Sequence, residues 1–88
     1  MLKIDISKQA IKFLQRVQPK HGKQISRKLM ELRSNPFPHD SIKLKGEHSY
    51  LRADIGEYRI IYYSKKGVLF VDIIGKRNDG EVYKILSR

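Results

Sequence analysis

Ser49-Tyr50-Leu51-Arg52-Ala53-Asp54-Ile55-Gly56-Glu57-Tyr58-Arg59-Ile60-Ile61-Tyr62-Tyr63-Ser64 decides how the rest of this chain is read. Polar and apolar residues alternate loosely over Ser49–Ile55, Gly56-Glu57 has the length of a tight hairpin turn, and Tyr58–Ser64 is rich in Ile and Tyr. Lys65-Lys66-Gly67 supplies the next turn. Val68–Ile74 is apolar enough for a central strand covered on both faces over much of its length. Strands joined by turns this short run antiparallel to their neighbours, so the stretch predicts a meander.

Ahead of the meander the period of the pattern changes. Residues 2–6 read as a short strand. Ser7 suits an N-cap, and Ala10, Phe13, Leu14 and Val17 follow at helical spacing, with Lys8, Lys12 and Arg16 on the other face. Pro19 and Gly22 end that helix. A second helix from about Gly22 to Arg33 buries Ile25, Leu29 and Leu32, and Ser34-Asn35-Pro36-Phe37-Pro38 stops it. Past the turn at Asn78-Asp79-Gly80, residues 81–87 form a short terminal helix or extension. The predicted fold is α+β, in the order β-α-α-β-β-β. An antiparallel sheet of about four strands carries the helical hairpin on one face. With no repeat, low-complexity segment or linker, residues 1–88 read as one domain.

Composition narrows the chemistry. Eighty-eight residues approach the size where one hydrophobic core is barely sufficient. The absence of cysteine excludes a disulfide framework, and His21, His39 and His48 lack metal-ligand spacing, so no metal or other cofactor is expected. No apolar run approaches the roughly 20 residues that span a bilayer. Met1-Leu2-Lys3-Ile4-Asp5 carries acid where a signal peptide is apolar, which predicts a cytoplasmic protein without a membrane partner. Nineteen Lys and Arg against nine Asp and Glu give a net charge of +10, which favours polyanionic partners. Charge alone does not distinguish RNA, DNA, ribosome or an acidic protein. The cations of the hairpin (Lys8, Lys12, Arg16, Lys20, Lys23, Arg27, Lys28, Arg33) are either the solvated sides of two amphipathic helices or non-specific contacts to phosphates.

The last third of the chain is harder to explain by packing. Gly75-Lys76-Arg77-Asn78-Asp79-Gly80-Glu81-Val82-Tyr83 ends a strand in two adjacent cations, turns, and presents a tyrosine. Arg59 interrupts an apolar strand, with Tyr58 and Ile60 on the opposite face. Its guanidinium must be paired, with Asp54 or Glu57 in the same hairpin, or reach a wet cleft. Arg52, on the preceding strand, faces solvent or that same cleft. Antiparallel topology makes Arg59 and Arg77 neighbours. Clustered arginines with no obvious acid between them suit a phosphodiester, whose non-bridging oxygens match their planar forks. Tyr83 is placed to stack on a base, to take part in proton transfer, or simply to anchor the C-terminus.

These motifs resemble the RelE family of bacterial and archaeal toxins, within the RelE/ParE superfamily. The resemblance rests on Lys43-Leu44-Lys45-Gly46, on Gly56-Glu57-Tyr58-Arg59-Ile60-Ile61-Tyr62, and on Gly75-Lys76-Arg77 with Glu81-Val82-Tyr83. The last of these is similar to the RNA-cleaving branch rather than the gyrase-inhibiting one. The resemblance implies a RelE-like fold and the toxin of a type II toxin–antitoxin pair. It further implies a metal-independent endoribonuclease that cuts mRNA in the ribosomal A site and is neutralised by a cognate RelB-like antitoxin. In that chemistry the ribose 2′-hydroxyl attacks the adjacent phosphorus, leaving a 2′,3′-cyclic phosphate and a 5′-hydroxyl. Arg59 then corresponds to the phosphate-stabilising arginine, Arg77 to the general acid, and Tyr83 to the tyrosine that orients the nucleotide. Lys43, Lys45 and Lys76 correspond to RNA-binding positions.

One departure stands out. Family members carry two alternating lysines on the strand that here reads Tyr50-Leu51-Arg52-Ala53-Asp54, and Arg52 is the stand-in for one of them. Arginine stays protonated and is a poor base. The base role therefore stays open among Glu57, Asp54, His48 and Tyr83. Three other readings remain: an RNase that acts without the ribosome, a non-catalytic, ParE-type gyrase inhibitor, and an inactive relative that only binds antitoxin.

Overall fold

The elements run β1 (Lys3–Ile6), α1 (Lys8–Arg16), α2 (Pro19–Ser34), β2 (Ile42–Lys43), β3 (Leu51–Ile55), β4 (Tyr58–Lys65) and β5 (Val68–Lys76) in a computed structural model that describes residues 1–44 and 49–78. The meander forms as predicted: β3 pairs antiparallel with β4, and β4 with β5. The helix or extension expected over residues 81–87 lies outside the described residues.

Two features of the predicted sheet are corrected. It has five strands in the order β1-β5-β4-β3-β2, and it is mixed, because β1 runs parallel to β5. The chain between β1 and β5 is far longer than a hairpin, so no turn dictates antiparallel pairing there. The added strand, β2, is two residues long and too short to show an alternating pattern. It pairs with β3 at Ile42↔Arg52 and Lys43↔Leu51.

Both hairpins close on turns whose backbone explains their residues. Gly56 has φ of 56°, which suits glycine at the first position of a two-residue loop. At the other turn Lys66 (φ 48°) and Gly67 (φ 79°) are both left-handed, as a type I′ turn requires.

Helix α1 starts at the predicted cap. The Ser7 side chain accepts from the Ala10 amide at 3.1 Å. β5 outruns β1 beyond Val71, and α1 satisfies the backbone left along that edge. The Ser7 hydroxyl donates to the Asp72 carbonyl, while the Gln9 amide donates to the Ile74 carbonyl at 2.9 Å and accepts from the Ile74 amide at 3.0 Å. Pro19 does not merely end the first helix. It opens α2, since the first helical turn needs no N–H from it, and Gly22 sits inside the helix.

The core lies between the helices and one face of the sheet. Ala10, Ile25, Leu29 and Leu32 pack on Leu51, Ala53, Tyr58, Ile60, Tyr62, Leu69, Val71 and Ile74. Each large aliphatic side chain buried there contributes about 1.5–3 kcal/mol. The second face carries a smaller cluster, Ile61 and Ile73 with Leu44 and Tyr50 against them, so β5 is covered on both sides over part of its length. Two cations assigned to the solvated helix faces turn inward. Lys28 is buried and lies 3.8 Å from both Glu31 and Asp40, and the Arg33 Nε donates to the Leu2 carbonyl at 2.8 Å.

Candidate functional site

The second face of the sheet brings the predicted arginines together. Pleating sends Leu51, Ala53, Tyr58 and Ile60 toward the helices, so Arg52, Asp54 and Arg59 project from the opposite face. Asp54 and Arg59 are direct cross-strand partners, and Arg59 also stands opposite Gly75, which presents no side chain.

Asp54 is the hub of the cluster. The Arg59 guanidinium donates to it twice, through Nε at 2.9 Å and Nη2 at 3.3 Å. Arg52 lies 3.8 Å from the same carboxylate and Arg77 3.9 Å from it. Three guanidinia from three segments of chain thus surround one carboxylate. This corrects the expectation of arginines with no acid between them. The signal was present in the sequence, in Asp54 two residues before the Gly56-Glu57 turn and Arg59 two residues after it, but register decides which pair meets. The Arg59 hydrogen bond, reinforced by the charges of all three arginines, holds the Asp54 carboxyl below the usual carboxylate range against the opposing effect of burial.

Arg77 is fixed to the same end of the sheet by its backbone. Its amide donates to the Glu57 carbonyl at 2.9 Å, and its guanidinium reaches the Gly56 carbonyl at 3.4 Å. Exposure is graded across the cluster: the Arg59 side chain is 11% exposed, Arg52 22% and Arg77 45%. Arg59 is therefore a largely covered fork, and Arg77 is the guanidinium best placed to meet a solute.

Toward the other end, the same face becomes aromatic. Tyr63 stacks on Phe70 with centroids 4.8 Å apart, and Tyr50 meets Tyr63 edge-on at 5.4 Å. Burial and the Asp72 carboxylate push the Tyr50 hydroxyl up to about 12, so it stays protonated at neutral pH. This stripe was not singled out in the sequence, because Tyr50, Tyr63 and Phe70 lie on three segments that only the register between strands brings together.

The remaining predicted residues are placed elsewhere. Lys76 pairs with Tyr58, whose side chain faces the helices, so it points away from the arginine cluster. Lys43 pairs with Leu51 on an edge strand and likewise stands on the helix side. Lys45, Tyr83 and the candidate base His48 lie outside the described residues. Glu57 is exposed in the β3–β4 turn. His21 hydrogen-bonds the Tyr58 hydroxyl, and no cluster among the described residues has the make-up of a metal site. No helix among the described residues is long and apolar enough to cross a membrane.

No family model and no curated protein matches by sequence. Solved structures do match, over nearly the whole chain. The isolated E. coli RelE toxin aligns with a TM-score of 0.78 at 25% identity, covering 99% of this chain and 96% of that one. A mutant of E. coli RelE in the free state gives 0.78 at 26% identity over 94% and 90%. An archaeal RelE–RelB complex from Pyrococcus horikoshii OT3 gives 0.74 at 24% identity over 89% and 97%. The shared layout reaches from β1 through the meander that carries Gly56-Glu57-Tyr58-Arg59 and Lys76-Arg77. In its fold, and in the motifs set on that fold, the chain is similar to the RelE toxins.

Proposed function

We propose that this chain is the toxin of a type II toxin–antitoxin pair and cleaves mRNA in the ribosomal A site without a metal ion. The observation that carries this reading is the convergence of Arg52, Arg59 and Arg77 on one oxyanion, the Asp54 carboxylate. A phosphodiester presents two non-bridging oxygens and one negative charge, as a carboxylate does, so guanidinia arranged for one suit the other.

Arg59, the least exposed of the three, holds a non-bridging oxygen and stabilises the charge that accumulates as the 2′-oxygen attacks phosphorus. Arg77, at the open edge, acts as the general acid: it gives a proton to the departing 5′-oxygen, which leaves as the 5′-hydroxyl, and the proton taken from the 2′-hydroxyl restores it through solvent. Arg52 replaces one of the family's strand lysines as a fixed positive charge. Asp54 keeps the forks aligned and is the candidate to take the 2′-hydroxyl proton once the phosphate draws the guanidinia away from it. Its lowered proton affinity makes it a weak base while Arg59 holds it. Tyr83, Lys43 and Lys45 complete the proposal as the stacking tyrosine and RNA-binding lysines.

The partner follows from charge. A chain at +10 that acts on RNA needs masking in its own cell, and an acidic segment that folds on binding can cover a wide cationic surface. Complexes with RelB antitoxins among the similar structures support such a partner. The reading is tested by primer extension on programmed ribosomes with this chain, Arg77→Ala and Tyr83→Phe. Cuts in the A site that require the ribosome and vanish with Arg77→Ala support it. A folded protein that makes no cuts overturns it.

A further inference from the structure

Lys76 and Arg77 are consecutive, so the end of β5 presents one cation to each face of the sheet. Arg77 serves the arginine cluster. Lys76 instead lines a cavity of about 490 Å³ on the helix side, between the α1–α2 junction and the β3–β4 turn. That volume falls in the range of about 300–1,000 Å³ usual for small-molecule sites.

The lining is divided by chemistry. Phe13 and Val17 form an apolar wall, with Phe13 braced edge-on by the buried Tyr58 at 5.7 Å. Arg16 and Lys76, both exposed, stand at the rim. Glu57 and Gln18 add a carboxylate and an amide, and His21 completes the charged or titratable lining with its ring tied to the Tyr58 hydroxyl. Packing does not require this mixture. A flat apolar wall, two cations for a phosphate and a carboxylate able to accept from an exocyclic amino group match the parts of a nucleotide.

We propose that this cavity is a second nucleotide site, which takes the nucleotide next to the scissile phosphate as the RNA passes round the end of β5. Resting on the RNA-cleaving reading above, it assigns that reading a base-selecting contact: the base lies against Phe13 and Val17, its phosphate sits between Arg16 and Lys76, and Glu57 favours bases with an amino group over uracil. Arg77 and Lys76 then hold successive phosphates from opposite sides of one strand end.

The test follows backbone amide NMR shifts while the intact protein is titrated with adenosine 5′-monophosphate, uridine 5′-monophosphate and inorganic phosphate. Adenosine monophosphate is expected to move the amides of Arg16, Gln18, Glu57 and Lys76, and to bind more tightly than uridine monophosphate or phosphate. Arg16→Ala and Lys76→Ala, each checked for fold by circular dichroism, weaken that binding roughly tenfold, as loss of one charge-assisted contact predicts. Shifts confined to Arg52, Asp54, Arg59 and Arg77 overturn the proposal while leaving the cleavage reading standing, and equal affinity for inorganic phosphate overturns it as a nucleotide site. Binding at the cavity by a protein that makes no cuts on ribosomes supports the site and sinks the nuclease.

Discussion

Asp54 and Arg77 carry the sharpest single-residue expectations. Arg77 is nearly half exposed and touches its neighbours through its backbone amide and two long guanidinium contacts, to the Gly56 carbonyl and the Asp54 carboxylate. Arg77→Ala is therefore expected to abolish cleavage and growth arrest, with stability changed by no more than about 0.5 kcal/mol. Retained toxicity at normal expression would refute its role. Asp54→Asn keeps the shape of the side chain but leaves three guanidinia without their countercharge, for a loss of about 1–3 kcal/mol. The pH dependence of that loss has a definite sign. The folded Asp54 carboxyl is held below its ordinary value, so its contribution is complete above the unfolded carboxylate pKa of about 3.9 and fades as pH falls through the lower folded value. Urea unfolding should show a constant gap between wild type and Asp54→Asn from neutral pH down to about 5, narrowing below about 4. A gap that persists unchanged at pH 3 would mean the difference is not one of charge.

At the scale of elements, the turns and the α1 cap are where local sequence and fold can be tested against each other. Lys66 occupies a left-handed position that costs a side-chain-bearing residue more than asparagine or glycine. Lys66→Asn is expected to raise stability by a few tenths to about 1 kcal/mol, read as a higher melting temperature. Ser7 does two jobs, capping α1 and donating to the Asp72 carbonyl on the neighbouring strand. Ser7→Ala should cost about 1–2 kcal/mol, and a loss of only a few tenths would show that neither bond matters. These elements also mark how far the sequence could be read. The meander, the Ser7 cap and the stripe Ile25, Leu29, Leu32 were legible, because each is written in residues a few positions apart. The start of α2 was misplaced because proline signals both the end of one helix and the first turn of the next.

For the whole molecule, the dominant property is charge. A net charge of +10 on 88 residues should make association with single-stranded RNA strongly salt-dependent, falling by roughly 0.7 log units of affinity per log unit of salt for each phosphate contacted. If Arg52, Arg59 and Arg77 together hold one phosphate and Lys76 a neighbouring one, Arg77→Ala and Lys76→Ala should each flatten the slope measured by fluorescence anisotropy. Slopes unchanged in both variants would place RNA on the helix faces instead. The acidic antitoxin is expected to compete with RNA for this surface. A complex that leaves Arg59, Arg77 and Tyr83 open and ordered would contradict that expectation.

What the sequence determined by itself was local: the period of each segment, the stops between them, the excess of cations, and the motifs that resemble the RelE toxins. Short-range spacing encodes these directly, since side chains three, four or two positions apart share a face whatever surrounds them. Tertiary structure alone decided the parallel pairing of β1 with β5, the inward turn of Lys28 and Arg33, and the opposite faces of Lys76 and Arg77 relative to the cluster. It also decided that Asp54 is the centre of three arginines. Each of these depends on the register between segments distant in sequence. A shift of one residue sends a side chain to the other side of the sheet, so no local pattern contains the answer.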